Sequence, residues 1–194
     1  MIVDKAADLF LEHSYERATM RSIGAAVGID PATIYYYFSS KEAIVVEILE
    51  MGVANLLTAL KTALAEHEDP SDRFDAAVHA HVTHVVSGPS QALYDQVFRY
   101  LPPEARAGVS SKRDLIDETW RTLVEQAITA GLLTASNSSL ARLHLITAMN
   151  GIYRWYDPTG PLSVNEIADA LIELVEGREK GLPPDTRKAA HDDT

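Results

Sequence analysis

The stretch TMRSIGAAVGIDPATIYYYFSSK, from Thr19 to Lys41, carries the start, stop, turn and restart signals of two short packed helices. Thr19 is an N-cap residue, able to accept a hydrogen bond from a free N–H of the first turn. Ile23 and Val27 fall four apart and share one helical face. Gly28 stands where a left-handed residue ends a helix and opens a tight turn. Ile29 supplies the apolar plug that a short turn between packed helices requires. Asp30-Pro31 restarts the chain with an N-cap carboxylate and a proline at the first helical position. In the second helix Ile34 and Phe38 point inward, which leaves Ala32, Thr33, Tyr35 and Tyr36 outward. The pattern predicts a helix-turn-helix whose outward face suits phosphate and base-edge contacts.

Read from Ile2 to Leu49, the chain resembles the DNA-binding domain of the TetR family of bacterial transcriptional regulators. Helix one carries A-A-x-L-F at Ala6, Ala7, Leu9 and Phe10. T-M-R-S-I-G-A-A-V-G-I is similar to the family's second helix and turn, and T-I-Y-Y-Y-F-x-S-K-E to its recognition helix and the entry into helix four. Two positions depart from the pattern: Ser14 stands where glycine is usual, and Gly24 where alanine is usual. No basic arm precedes Ile2. The resemblance implies a DNA-contact set of Thr19, Arg21, Ala32, Thr33, Tyr35, Tyr36 and Lys41. Thr33 and Tyr36 are expected at base edges, and Thr19, Tyr35 and Lys41 at phosphates. A Lys41 ammonium on a phosphate predicts that its removal weakens binding evenly and lowers the salt slope by about one.

Composition agrees with an all-α regulator. A chain of 194 residues, 46% of them apolar, allows a small DNA-reading domain and a larger helical one. No run is expected to be long or apolar enough to span a membrane, and Met1-Ile2-Val3-Asp4 lacks the features of a signal peptide, so a cytoplasmic location is expected. The absence of cysteine excludes disulfides, thiolate zinc sites and cysteine redox sensing. The net charge of −11 opposes non-specific DNA binding. Residues 1–50 carry a balance of −4, whereas Thr19–Lys41 carries +1. Operator binding must therefore rest on a local surface, on two copies of it and on neutral donors.

Beyond residue 50 the chain reads as successive helices, about nine in all, with no period-two alternation for strands. Ser39-x-x-Glu42 predicts a capping box for a long fourth helix reaching toward His67. Asp69-Pro70-Ser71 breaks it, and a fifth helix runs over 72–87. A sixth spans 91–101 and stops at Pro102-Pro103. A seventh, with Leu115, Trp120, Leu123 and Ile128, closes at Gly131. An eighth covers 139–156, and a ninth runs from the Ser163-x-x-Glu166 capping box to about residue 179. The expected organisation is a helix-turn-helix domain over 1–45, a ligand-binding and dimerisation domain over 46–180, and a disordered tail over 181–194.

A small-molecule pocket is expected between the fifth and eighth helices, with Phe98, Trp120, Asn150, Arg154 and Trp155 as candidate ligand contacts. In the family the last two helices pair with those of a second subunit, and the resemblance implies a homodimer here. Arg99–Glu104 and Asn150–Ser163, the latter with R-W-Y-x-P-x-G-x-L-S, are similar to TetR-type regulators of fatty-acid and steroid catabolism. Some of these respond to acyl-CoA thioesters, so the implied effector is a small hydrophobic molecule such as an acyl-CoA. Arg99, Arg106, Lys112, Arg113 and Arg154 are candidate cations for it. His79, His81 and His84 crowd one stretch of helix, but partly buried polar faces explain them better than a metal. No phosphate loop, G-x-S-x-G or HExxH motif is present, so neither an enzyme nor a cofactor site is expected. Two readings follow: a ligand-responsive repressor on palindromic operator DNA, or a helical small-molecule-binding module with weak DNA binding.

Overall fold

Short-range side-chain caps set most of the helix starts in the computed structural model, which describes residues 2–177. The described residues form nine α-helices and no strand. These are α1 Ile2–His13, α2 Met20–Val27, α3 Pro31–Tyr37, α4 Lys41–Ala65, α5 Pro70–Ser87, α6 Ser90–Val97, α7 Pro103–Thr129, α8 Ser138–Gly151 and α9 Val164–Glu176. Single 3₁₀ turns, Phe98–Tyr100 and Ile152–Arg154, continue α6 and α8. The tail expected over 181–194 lies outside the described residues.

In the helix-turn-helix, Thr19 Oγ1 accepts from the Ser22 N–H at 3.1 Å while Ser22 Oγ accepts from the Thr19 N–H at 2.9 Å. Gly28 adopts φ 76° and closes α2, and Asp30 accepts from the Ala32 N–H at 2.7 Å to open α3. Gly24 lies where α3 crosses α2: a Cβ there would stand 2.9 Å from the Ile29 carbonyl oxygen. Ser14 carries φ 67°, a left-handed conformation that costs a non-glycine residue roughly 1 kcal/mol. The box expected at Ser39 and Glu42 is displaced by one residue. Ser40 caps α4, accepting from the Ala43 N–H at 3.2 Å, and Glu42 instead accepts from the Tyr15 hydroxyl at 2.8 Å. Pro70 and Pro103, read as breakers, also begin the next helices, because a missing N–H costs nothing in the first turn. The eighth helix ends at Gly151 rather than 156, and α9 ends at Glu176 under a left-handed Gly177.

Two apolar cores share α4. Ile44, Val45, Ile48 and Leu49 pack with α1, α2 and α3, whereas Val53, Leu56 and Leu60 pack with α5, α7, α8 and α9. The changeover falls between Leu49 and Val53. The N-terminal core is not confined to the first helices either, because Leu93 and Val97 of α6 and Val109 of α7 complete it. This double burial overturns one expectation. α4 is long and apolar enough to cross a bilayer, with mean hydropathy 1.8 over an 18-residue window of its 25 residues. A helix covered by two cores needs apolar residues on more than one face, which produces the same signal.

Candidate nucleic-acid interface and ligand cavity

α3 buries one side chain, Ile34, and turns the rest outward. Ala32 and Thr33 are exposed, and Tyr35, Tyr36 and Tyr37 are 56%, 84% and 63% exposed. Tyr37 was not among the expected contacts, yet its ring meets Tyr36 edge-on at 5.1 Å. The available signal was the brevity of α3: one apolar anchor in a helix this short leaves its other positions outside. Arg21 is exposed on α2 beside this surface. Thr19 is exposed, but its hydroxyl oxygen serves the capping box.

Lys41 has partners within its own chain. Its Nζ donates to the carbonyls of Tyr15 at 2.8 Å, Ala18 at 3.3 Å and Glu16 at 3.4 Å, and lies 4.3 Å from the Tyr15 ring centroid. The ammonium closes the turn between α1 and α2. Lys41→Met is therefore expected to cost about 1–3 kcal/mol of folding stability, with little change in the salt slope of DNA binding. Urea unfolding combined with a salt titration checks this. A slope lowered by about one at unchanged stability would place the ammonium on DNA.

A cavity of about 260 Å³ opens between α4, α5, α6, α7 and α8. Leu49, Val53, Leu56, Ile116 and Ile146 supply its apolar wall, and His81, His84, Gln91, Asn150 and Arg113 its polar side. His81 is buried, with Nδ1 at 2.9 Å from Trp120 Nε1 and Nε2 at 3.0 Å from Asn150 Oδ1. The indole N–H can only donate, so Nδ1 accepts, Nε2 carries the proton and donates to Asn150, and the ring is neutral. Burial pushes the His81 pKa down to about 4, against the hydrogen bond to Asn150. Burial and then Arg113 also push His84 down. A second crevice of about 250 Å³ adjoins the cavity at Gly52, His84 and Ser90 and reaches Val3 and Ala7 of α1. At this junction α4 and α6 touch: a Cβ on Gly52 would lie 2.6 Å from Ser90 Oγ.

Of the five expected ligand contacts, Asn150 alone lines this cavity. Trp120 is wholly buried behind His81. Phe98 stacks on Tyr94 at 4.4 Å and packs against the N-terminal core. Arg154 is exposed and pairs with Asp95 at 2.6 Å, and Trp155 is 59% exposed. The histidines separate as well: His79 Nε2 meets Asp169 Oδ1 at 3.0 Å while His81 faces Trp120. Among the described residues, no group of three metal-ligating side chains comes together. On the far side, Leu140, Leu143 and Leu174 are 52%, 49% and 78% exposed. Leu174 also walls a groove of about 300 Å³ with Leu133, Ala141, Leu145, Leu171 and Val175.

Comparison with known proteins matches residues 2–48 to the bacterial regulatory proteins of the tetR family and residues 67–177 to the tetracyclin repressor-like C-terminal domain. The HTH-type transcriptional repressor KstR2 of Rhodococcus jostii (strain RHA1) is 27% identical over 177 residues, covering 90% of this chain and 87% of that protein. The structure of the TetR family transcriptional regulator PfmR from Thermus thermophilus superposes with a TM-score of 0.83 at 29% identity, over 91% of this chain and 97% of that one. AibR, solved in complex with isovaleryl coenzyme A and operator DNA, shares the fold with a TM-score of 0.81 at 21% identity, over 90% and 96% of the two chains.

Proposed function

Because the chain belongs to the TetR family of bacterial regulatory proteins, whose members regulate transcription and are not enzymes, we propose that it is a cytoplasmic repressor. It binds a palindromic operator as a homodimer and releases it when a small hydrophobic effector enters the cavity between α4 and α8. Thr33 and Tyr36 meet base edges, and Arg21, Ala32 and Tyr35 flank them, with Thr19 contributing backbone more than hydroxyl. Acyl-CoA thioesters are the effector class of choice. KstR2 is a repressor, and AibR was solved with an acyl-CoA and its operator. The acyl group suits the cavity, and the far larger nucleotide part would lie outside it, toward the crevice beside α1.

The observation that carries this reading is the position of α6. Gln91 and Tyr94 line the cavity, while Leu93 and Val97 on the same short helix complete the core of the DNA-reading unit. A ligand that displaces one face displaces the other, and the close Gly52–Ser90 contact leaves α4 little room to absorb the movement. A ligand shifts the equilibrium only by its differential affinity for the two arrangements. A coupling of about 1–3 kcal/mol lowers operator affinity by roughly 5–150-fold, and DNA must weaken the ligand by the same factor.

Fluorescence anisotropy with the chain's own upstream DNA tests this, using acyl-CoA thioesters against the free acids and free CoA. Release by a thioester and not by free CoA is the expected result. Release by another hydrophobic compound while every thioester fails would remove the acyl-CoA assignment and leave the repressor. The balance of −4 over residues 1–50 favours a second reading, a small-molecule-binding module with weak DNA binding. Absence of any specific complex at low salt would select it.

A further inference from the structure

Five cations stood as candidates to meet an anionic effector, and the fold leaves one of them at the cavity. Lys112 pairs with Glu50 and Arg154 with Asp95. Arg99 lies over the Tyr100 ring at 4.7 Å, and Arg106 is exposed. Arg113 lines the cavity, and its guanidinium rests 3.9 Å from the Tyr94 ring centroid. Among the described residues its guanidinium makes no ion pair or hydrogen bond, and Asp95, the carboxylate whose charge reaches it, is taken up by Gln91, Tyr153 and Arg154.

A guanidinium stays charged and holds five N–H donors in a planar fork. Stacking on an aromatic face orients that fork but satisfies none of its donors. The neighbouring groups do not cancel the charge. His81 and His84 are kept neutral by burial, and Asp117, which also lines the cavity, is paired with Arg142. Asp114 also lines the cavity, but it is exposed, and water screens its charge. A poorly solvated cation facing an apolar wall is costly until an anion meets it. That anion has to arrive with the ligand.

We propose that Arg113 is the anion receptor of this cavity and that the occupant is a small apolar molecule presenting a carboxylate to it, as a free acid or as an acyl group with a carboxylate at its far end. The volume, about 260 Å³, admits one such chain and excludes a nucleotide, so a phosphate of CoA is not the group that reaches Arg113. Leu49, Val53 and Ile116 cover the hydrocarbon, and Asn150, whose oxygen is held by His81, keeps its amide N–H donors for the same end. The inference rests on reading this cavity as the effector site.

Isothermal titration of the full chain with octanoate and with 1-octanol tests it, because the two probes share a chain and differ in charge. Wild type is expected to bind octanoate roughly 10–150-fold more tightly than octanol, the range of a charge-assisted hydrogen bond. R113M should abolish that preference while octanol binding persists, and R113K should retain part of it. Equal affinities in wild type would overturn the proposal, as would a preference that survives in R113M. If R113M does not fold, the wild-type ratio and R113K decide. Anisotropy on operator DNA separates this proposal from the reading beneath it. Arg113-dependent octanoate binding that leaves the operator complex intact sinks the effector-site reading, and operator release by octanol and octanoate alike sinks the carboxylate alone.

Discussion

Leu174→Glu is expected to convert the protein to a monomer and to lower operator affinity by at least about 100-fold. Leu174 is 78% exposed at the end of α9 and borders an apolar groove, walled also by Ala141, Leu145 and Ala148 of α8, that its own subunit leaves open. Contiguous apolar surface of this kind marks an interaction site, and a two-fold partner would cover it with the same surface. Each fully buried leucine contributes about 1.5–3 kcal/mol, and symmetry places every residue in the interface twice. A charge there removes the leucine and must also be desolvated. A monomer presents one recognition helix and half the phosphate contacts, so affinity collapses. Leu171 packs against its own subunit's core, so a charge there would confuse unfolding with dissociation. Sedimentation of wild type and variant at micromolar concentration, paired with anisotropy, checks the expectation. A monomeric wild type would end it.

Acid is expected to destabilise the protein steeply from about pH 6.5 downward, and His81→Gln should remove much of that sensitivity. Burial holds the His81 pKa near 4 in the folded chain, against 6.5 for the free group. The folded value is the lower one, so the unfolded state binds the proton first. The stability is complete above about pH 6.5 and is lost as the pH falls through about 4, amounting to roughly 3 kcal/mol from this ring. His84, also pushed down by burial, adds to the loss in the same direction. Glutamine can accept from Trp120 and donate to Asn150 while carrying no titrating group, so the variant separates charge from lost hydrogen bonds. Urea unfolding at pH 7 and pH 5 is the measurement. Equal losses in wild type and H81Q would show that carboxylates elsewhere, and not the buried imidazole, set the acid limit.

The helix-turn-helix was legible in the chain because its signals act over four residues or fewer. Thr19, Gly28, Asp30 and Pro31 specify where two helices start and stop through bonds to their own first and last turns, and each does so in the fold. Where two adjacent residues could serve one cap, as at Ser39 and Ser40, the local pattern did not choose between them. The choice fell to Tyr15, far away in sequence, which takes the Glu42 carboxylate.

Side-chain destinations across helices were not legible in the same way. Lys41 reads as an exposed cation at a helix start, and only the folding of α1 against α4 brings three carbonyls to its ammonium. Trp120, Arg154 and Arg113 are all plausible cavity residues by composition. Rotation of α7 and α8 about their axes puts the indole behind His81, the first guanidinium on Asp95 and the second at the cavity. The apolar run of α4, long enough to cross a bilayer, is likewise explained only when two cores are seen to share it. By itself the sequence determined the all-helical class, the DNA-reading motif and the family. The tertiary structure decided which cation faces the cavity, which leucines remain uncovered and which helix joins the two cores. The first set rests on contacts within one or two helical turns, and the second on how distant helices are rotated against one another, which no local periodicity encodes.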